Sequence, residues 1–200
     1  MNPSNSLNAH FWQERYQQQE TGWDVGDVST PLKEYIDQLT DKELRILIPG
    51  CGNAHEADYL ISHGFNNITL IDLAEDPVML LRNKYKNLPE VQVLHGDFFE
   101  HQGNYDLILE QTFFCALPPA MRREYVQHMY RNLALGGKLA GVMFCIEFEK
   151  DGPPFGGSVE EYKSLFEPIF SSVIIEPCYN SIPSRKGHEV FLIAQSKSIG

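Results

Sequence analysis

The chain has 200 residues, 42% of them hydrophobic and 22% charged, the composition of a soluble globular protein long enough to bury a substantial core. Its 16 basic and 27 acidic residues leave a net charge of −11, which excludes a sequence-independent grip on nucleic acid and disfavours an anionic membrane surface.

Residues 1–8 are polar and expected to be loose. Phe11, Trp12, Tyr16 and Trp23 then crowd together, and Trp12 and Trp23 are the only two tryptophans of the chain. Trp23 stands between Gly22 and Gly26, which places it on a loop. The cluster reads either as the apolar tie-down of a terminal arm or as a lid over a ligand. A cationic ligand would gain about 0.5–2 kcal/mol from each well-placed ring. Ser29-Thr30-Pro31 starts a helix, with a hydroxyl cap and proline in the first turn, and Leu32, Tyr35, Ile36 and Leu39 give it one apolar face.

The rest of the chain is organised around the stretch from Arg45 to Asp72. Arg45 to Pro49 is a short apolar run ending in Gly50-Cys51-Gly52, where the backbone can turn sharply or approach a ligand. Ala54, Ala57, Leu60 and Ile61 repeat at helical spacing, and Ile68 to Ile71 form a second apolar run with Asp72 at its tip. The pattern is strand, glycine turn, crossover helix, parallel strand, carboxylate. A carboxylate twenty residues after Gly52 suits the two hydroxyls of a ribose. The third glycine of the dinucleotide fingerprint is replaced by His55, so an adenosine ligand without a phosphate seat fits better. The alternative is an ordinary glycine turn beside a solvated Asp. His55 and His63 are placed on the surface of the crossover helix.

Asp76-Pro77 starts a further helix with Val78, Leu81, Tyr85 and Leu88 facing inward, and Val91 to His95 is a third strand running into Gly96-Asp97-Phe98-Phe99. An acid followed by an aromatic at that point can hydrogen-bond an adenine amino group and stack on the base. Tyr105 to Glu110 is a continuously apolar fourth strand, as burial on both faces requires. It opens into Gln111-Thr112-Phe113-Phe114-Cys115-Ala116-Leu117-Pro118-Pro119, too apolar for a free loop and expected to line a pocket or pack under the arm. Pro119 is expected to begin a helix carrying Met121, Tyr125, Met129 and Leu133, ended by Gly136-Gly137, before a fifth strand from Lys138 to Cys145. Ser158 and Glu161 form a capping box for a helix reaching about Phe170. Ser172–Tyr179 and His188–Gln195 are joined too closely for a helical crossover and should pair antiparallel.

Cys51, Cys115, Cys145 and Cys178 lie far apart, with no C-x-x-C and no metal-ligand spacing, so reduced thiols and no metal centre are expected, in a cytoplasmic protein. The N-terminus lacks the basic and apolar regions of a signal peptide, and no apolar run is long enough to span a bilayer.

Five β/α units with a terminal antiparallel hairpin, the turn L-I-P-G-C-G-N-A and a carboxylate closing the second strand resemble a class I S-adenosylmethionine-dependent methyltransferase. F-W-Q-E-R-Y, T-G-W-D-V-G, P-G-C-G, D-F-F, T-F-F-C-A-L and D-G-P-P-F, in this order, are similar to the thiopurine S-methyltransferase family, and most to its halide and thiol methyltransferase branch. The resemblance implies an α/β fold, a doubly wound, mostly parallel seven-stranded Rossmann-like sheet with a C-terminal antiparallel hairpin. It implies one domain over residues 1–200, with 1–30 an arm closing over the cofactor. Trp12, Tyr16 and Trp23 would then meet the methionine and sulfonium part of S-adenosylmethionine. Gly50 and Gly52 would admit its aminoacyl end, Asp72 would hold the ribose, and Asp97 with Phe98 the adenine. Gln111 falls where relatives place a larger polar side chain touching the cofactor. Phe113, Phe114 and Phe155 would shape the acceptor pocket.

The acceptor would be a small soft nucleophile, a thiol, hydrosulfide, halide or thiopurine, aligned for in-line displacement. No partner nucleic acid or membrane is expected, and a monomer is expected, with a homodimer as the alternative. Glu110 is the nearest candidate for a general base, against a purely structural strand-end carboxylate. Other readings on the same elements are an oxygen or nitrogen acceptor, a nucleotide-dependent oxidoreductase, opposed by the missing third glycine, and a nucleotide-binding module without turnover.

Overall fold

The computed structural model describes residues 7–198, so residues 1–6 of the expected loose N-terminus and arm lie outside the described residues. The elements run α1 (Ala9–Gln17), α2 (Thr30–Asp37), β1 (Ile46–Pro49), α3 (His55–Ser62), β2 (Ile68–Asp72), α4 (Glu75–Lys84), β3 (Val91–His95), β4 (Tyr105–Gln111), α5 (Arg122–Asn132), β5 (Leu133–Phe144), α6 (Val159–Phe166), β6 (Ser172–Pro177) and β7 (Glu189–Gln195).

The seven strands form one sheet in the order β3-β2-β1-β4-β5-β7-β6. β3, β2, β1, β4 and β5 are parallel, and β7 is antiparallel to both β5 and β6. Every residue of β1 and β2 is buried, because helices cover both faces. One face packs Ile46, Ile48, Leu70 and Leu109 against Leu32 and Ile36 of α2, Ala57 and Leu60 of α3, and Leu81 of α4. The opposite face packs Leu47, Ile108, Leu139 and Met143 against Tyr125 and Met129 of α5 and Tyr162 and Phe166 of α6. The doubly wound sheet with its antiparallel end is thus the fold the sequence implies. After β3 the chain returns to the other side of β1, so the strand order reverses between β1 and β4. In an open α/β sheet that reversal opens a crevice at the carboxyl ends of the strands.

Three boundaries differ from the sequence reading. Pro119 opens a short 3₁₀ turn, Pro119–Met121, and the α-helix proper starts at Arg122. α5 ends at Asn132, and β5 begins at Leu133 and runs through Gly136-Gly137, so the glycine pair does not stop a helix. Tyr105 pairs with Leu133 while Leu107 pairs with Lys138, so the strand carries its extra residues as a bulge there. Gly136 takes φ +76°, and a Cβ on Gly137 would lie 2.8 Å from the Tyr105 carbonyl oxygen. α6 stops at Phe166, short of Phe170, although the Phe166 and Phe170 rings still pack with centroids 5.8 Å apart. No helix among the described residues is long and apolar enough to cross a membrane.

Candidate functional site

The crevice is built on the turn after β1. Gly50, Gly52 and Ala54 take φ of +57°, +51° and +53°, so the chain makes three left-handed steps in five residues. Gly50 has no alternative, since a Cβ there would lie 2.4 Å from Cδ2 of Phe113. The turn delivers the Gly52 N–H to Oδ2 of Asp72 at 2.9 Å, while the Ala74 N–H donates to Oδ1 at 2.9 Å. Burial pushes the Asp72 carboxyl up, against the pull of those backbone donors. Each oxygen accepts one of these bonds and retains a lone pair for a further O–H donor.

A cavity of about 830 Å³ lies over this carboxylate, ample for a nucleoside-sized ligand. Trp12, Tyr16, Trp23, Gly50, Asp72, Asp97, Phe98 and Phe113 all line it. A neighbouring recess of about 50 Å³ is lined by Gly52 and Gln111, together with Trp23, Gly50 and Ser29. Gln111 accepts a hydrogen bond from the Ser29 hydroxyl at 2.6 Å, which ties the end of β4 to the start of α2. Asp97 accepts the Phe99 N–H at 2.8 Å, and Phe98 is buried with its ring 5.3 Å from that of Phe113.

The arm is ordered by its rings. Trp12 and Trp23 meet edge to face at 5.6 Å, and Tyr16 meets Trp23 at 5.8 Å. Burial first, then the neighbouring Asp72 and Cys51, push the Tyr16 hydroxyl well above its ordinary range, so it stays protonated. Helix α1 is held to α4 by Gln13, whose Oε1 accepts the N–H groups of Glu75 at 2.9 Å and Asp76 at 3.1 Å. The Trp23 carbonyl accepts Nη2 of Arg185, from the β6–β7 connection, at 2.8 Å. Asp24 accepts Nε2 of His55 at 2.7 Å, the Gly26 N–H at 2.7 Å and the Asn53 side-chain amide. Burial alone would raise Asp24, but these donors bring it below the ordinary carboxylate range. His55 therefore faces the arm rather than open solvent, whereas His63 is exposed.

Three residues read from the sequence as site candidates lie off the cavity wall. Glu110 is fully buried, and its Oε1 accepts the N–H groups of Phe113 at 2.8 Å and Phe114 at 2.7 Å. Burial pushes its carboxyl up to about 7 against those two donors. Its geometry is that of a cap on the turn in which Thr112 takes φ +59°. Phe114 turns into the core, its ring 5.0 Å from Tyr125 and 5.5 Å from Tyr162. Phe155 is pinned by its N–H to the Cys115 carbonyl at 2.7 Å, and the adjacent Pro153 and Pro154 line the cavity instead.

Leu117 and Pro118, from the run expected to line a pocket, do line the cavity, and so do Met121, Arg15 and Arg185, which were not read from the sequence as site residues. The apolar run to Pro119 signalled Leu117 and Pro118. Nothing in the spacing signals Arg185 or links Asp24 to His55. Cys115 reaches the cavity too, but burial first and the charge of Glu110 second keep it a thiol.

Residues 7–191 match the family model of thiopurine S-methyltransferase. A probable thiol methyltransferase 2 of Arabidopsis thaliana is 30% identical, over 89% of this chain and 81% of its own length. A thiopurine S-methyltransferase of Acinetobacter baylyi is 27% identical, over 91% and 94%. Among solved structures, the 1,6-didemethyltoxoflavin-N1-methyltransferase of Burkholderia thailandensis, with bound S-adenosylhomocysteine, superposes with a TM-score of 0.75 at 15% identity, covering 97% of this chain and 89% of that one. On the match over most of its length, the chain belongs to the thiopurine S-methyltransferase family of S-adenosylmethionine-dependent methyltransferases.

Proposed function

We propose that the protein transfers the methyl group of S-adenosylmethionine to a small soft nucleophile of the thiol class, using the whole chain as one domain and its N-terminal arm as a lid. The observation that carries this reading is the cavity in which two indoles, a glycine turn and the buried carboxylate of Asp72 face one another. In this reading Asp72 takes the ribose hydroxyls on its spare lone pairs. Asp97 and Phe98 take the adenine, Gly50 and Gly52 admit the aminoacyl end, and Trp12, Tyr16 and Trp23 lie over the sulfonium. Gln111 holds the recess beside that end through Ser29.

These residues fit a cationic, phosphate-free adenosine derivative. The start of α3, where a pyrophosphate would sit, carries Glu56 in its first turn and faces Asp24, whose carboxylate would repel an anion. When bound, the cofactor supplies a methyl group already attached to a good leaving group. The chain then has to align the nucleophile and exclude water, effects that contribute several kcal/mol and up to roughly 7–11 in model reactions. Phe113, Leu117, Pro118, Met121 and Pro154 give the acceptor side an apolar wall, where a thiolate stripped of water is more reactive. A thiol of pKa about 8.5 is already a few per cent ionised at neutral pH, so a general base is not required. Glu110, absent from the cavity lining, buried, and capping the Phe113 and Phe114 N–H groups with Oε1, is assigned to structure in this reading.

The Arabidopsis and Acinetobacter relatives, by name enzymes of thiol and thiopurine methylation, favour a sulfur acceptor. The acidic chain favours a small-molecule partner over nucleic acid, and a cytoplasmic monomer is consistent with its reduced cysteines. The test is a product assay with methyl-labelled cofactor against a panel of hydrosulfide, aliphatic thiols, thiopurines, thiocyanate, iodide, phenols and amines. Labelled thioethers or methanethiol are the expected products, and methylation confined to phenols or amines would overturn the sulfur assignment.

A further inference from the structure

We infer that Asp24, acting through His55 and Asn53, is a positioning residue that latches the tryptophan lid onto the glycine turn and so sets how fast the cofactor leaves. The inference rests on the cofactor reading of the cavity and concerns residues that line the neighbouring recess, not the main cavity.

Asp24 directly follows Trp23, so whatever holds its carboxylate also holds the indole. Its three side-chain and backbone donors come from two places. The Gly26 N–H closes a tight turn within the lid loop itself, at 2.7 Å. The Asn53 amide and His55 Nε2 come from the other side, from the two residues flanking Ala54. Ala54 is the third left-handed residue of the turn that also delivers the Gly52 N–H to Asp72. The lid and the ribose carboxylate are thus bolted to opposite sides of one five-residue turn. The latch is partly shielded, with side-chain exposure of 28% for His55 and 18% for Asp24, so water competes with it only weakly. A second tether reaches the loop from the hairpin, where Arg185 donates to the Trp23 carbonyl. That bond holds the loop at a single main-chain atom, whereas Asp24 holds it through two further side chains of the glycine turn. Lifting Trp23 off the cavity therefore requires the Asp24 carboxylate to give up His55 and Asn53 together. Because Trp12 and Tyr16 lean edge-on against Trp23, its departure would uncover both rings on α1.

The chain supplies its own reporter, since both tryptophans are in the lid. Stopped-flow release of S-adenosylhomocysteine from the full chain, followed by intrinsic fluorescence, tests the latch. Losing hydrogen bonds to a charged acceptor is expected to make release from Asp24→Ala at least about tenfold faster. The same variant should show red-shifted tryptophan emission before ligand is added, which a merely stabilising residue would not cause. His55→Ala should speed release by a smaller factor. Asp24→Ala/His55→Ala should be no faster than Asp24→Ala alone, because both act on one contact.

Unchanged release and emission in Asp24→Ala would overturn the latch, and so would single effects that multiply in the double variant. Should Asp24→Ala melt below the assay temperature, His55→Ala carries the test by itself, with unchanged release overturning the inference. Wild-type protein that fails to bind S-adenosylhomocysteine would sink the cofactor reading and the latch with it. Normal binding with unaltered release in the variants sinks the latch alone.

Discussion

Asp72 accepts two backbone N–H bonds, from Gly52 after β1 and from Ala74 after β2. Those bonds leave it spare lone pairs beside the cavity and fix the Gly52 turn against β2, and in the proposed reading those lone pairs take the ribose. Replacing the side chain removes both the acceptor for the ligand and the anchor for the turn. Asp72→Ala is expected to weaken S-adenosylhomocysteine binding about a hundredfold or more, since each hydrogen bond to a charged group contributes roughly 1.5–3 kcal/mol. Isothermal titration calorimetry measures it directly, and affinity within a few-fold of wild type would show the ribose lies elsewhere. The place of this carboxylate, at the end of β2 against the glycine turn, was legible in the sequence because strand, turn and carboxylate follow a spacing with a geometric reason. Glu110 was half legible. Its place at the end of a strand could be read, but not that its Oε1 would take the Phe113 and Phe114 N–H groups, because that depends on Thr112 turning left-handed. Asp24 and His55 were not legible as a pair. They lie far apart in the chain and meet only when the arm folds back over α3.

At the scale of elements, the errors of sequence reading come from apolar residues whose helical spacing outlasts the helix. Leu133 stands four residues after Met129 and is buried like it, so the periodicity of α5 runs unbroken into a strand. Phe170 repeats the trick after Phe166 at the end of α6. At Leu133 a buried residue satisfies either element, and what decides is long-range pairing to β4, which no local window contains, whereas Phe170 lies in the turn before β6 with its N–H still bonded to the Phe166 carbonyl. The same β4–β5 pairing carries a consequence for the site. Glu110 lies opposite Gly141, and a Cβ on Gly141 would fall 2.6 Å from Glu110 Cβ and 2.8 Å from its carbonyl oxygen. Neither neighbour is the free end of a flexible chain, so the strands must part or Glu110 must move. Overpacking of this kind typically costs about 1–3 kcal/mol. Gly141→Ala is expected to lower the urea midpoint accordingly. It should also loosen the Phe113 turn that abuts Gly50, so that cofactor affinity falls along with stability. A variant as stable as wild type would show that the pair has slack the contact distances do not reveal.

For the molecule as a whole, the alternation of strand and helix could be read along the chain, and the rule that crossovers are right-handed leaves few ways to order the parallel strands. The insertion of β7 between β5 and β6 could not, because the short β6–β7 connection fixes only that those two pair. That insertion brings Arg185 across the sheet end to the arm, so the last hairpin and the first helix meet over the same cavity. A ligand filling the cavity therefore bridges elements from both ends of the chain, and binding should stabilise the entire fold rather than one lobe. At about 100 times its dissociation constant a ligand stabilises by roughly 2.7 kcal/mol. For a protein of this size each kcal/mol raises the melting temperature by about 2–4 °C, so S-adenosylhomocysteine should raise it by about 5–10 °C. NAD offers the same adenosine but adds a diphosphate, which would have to lie near Glu56 and Asp24 at the start of α3. It should leave the melt unchanged at the same concentration. A thermal-shift comparison of the two ligands reads the difference in one experiment. A shift with NAD and none with S-adenosylhomocysteine would mean that the acids at α3 do not govern the site, and that the crevice is built for phosphate after all.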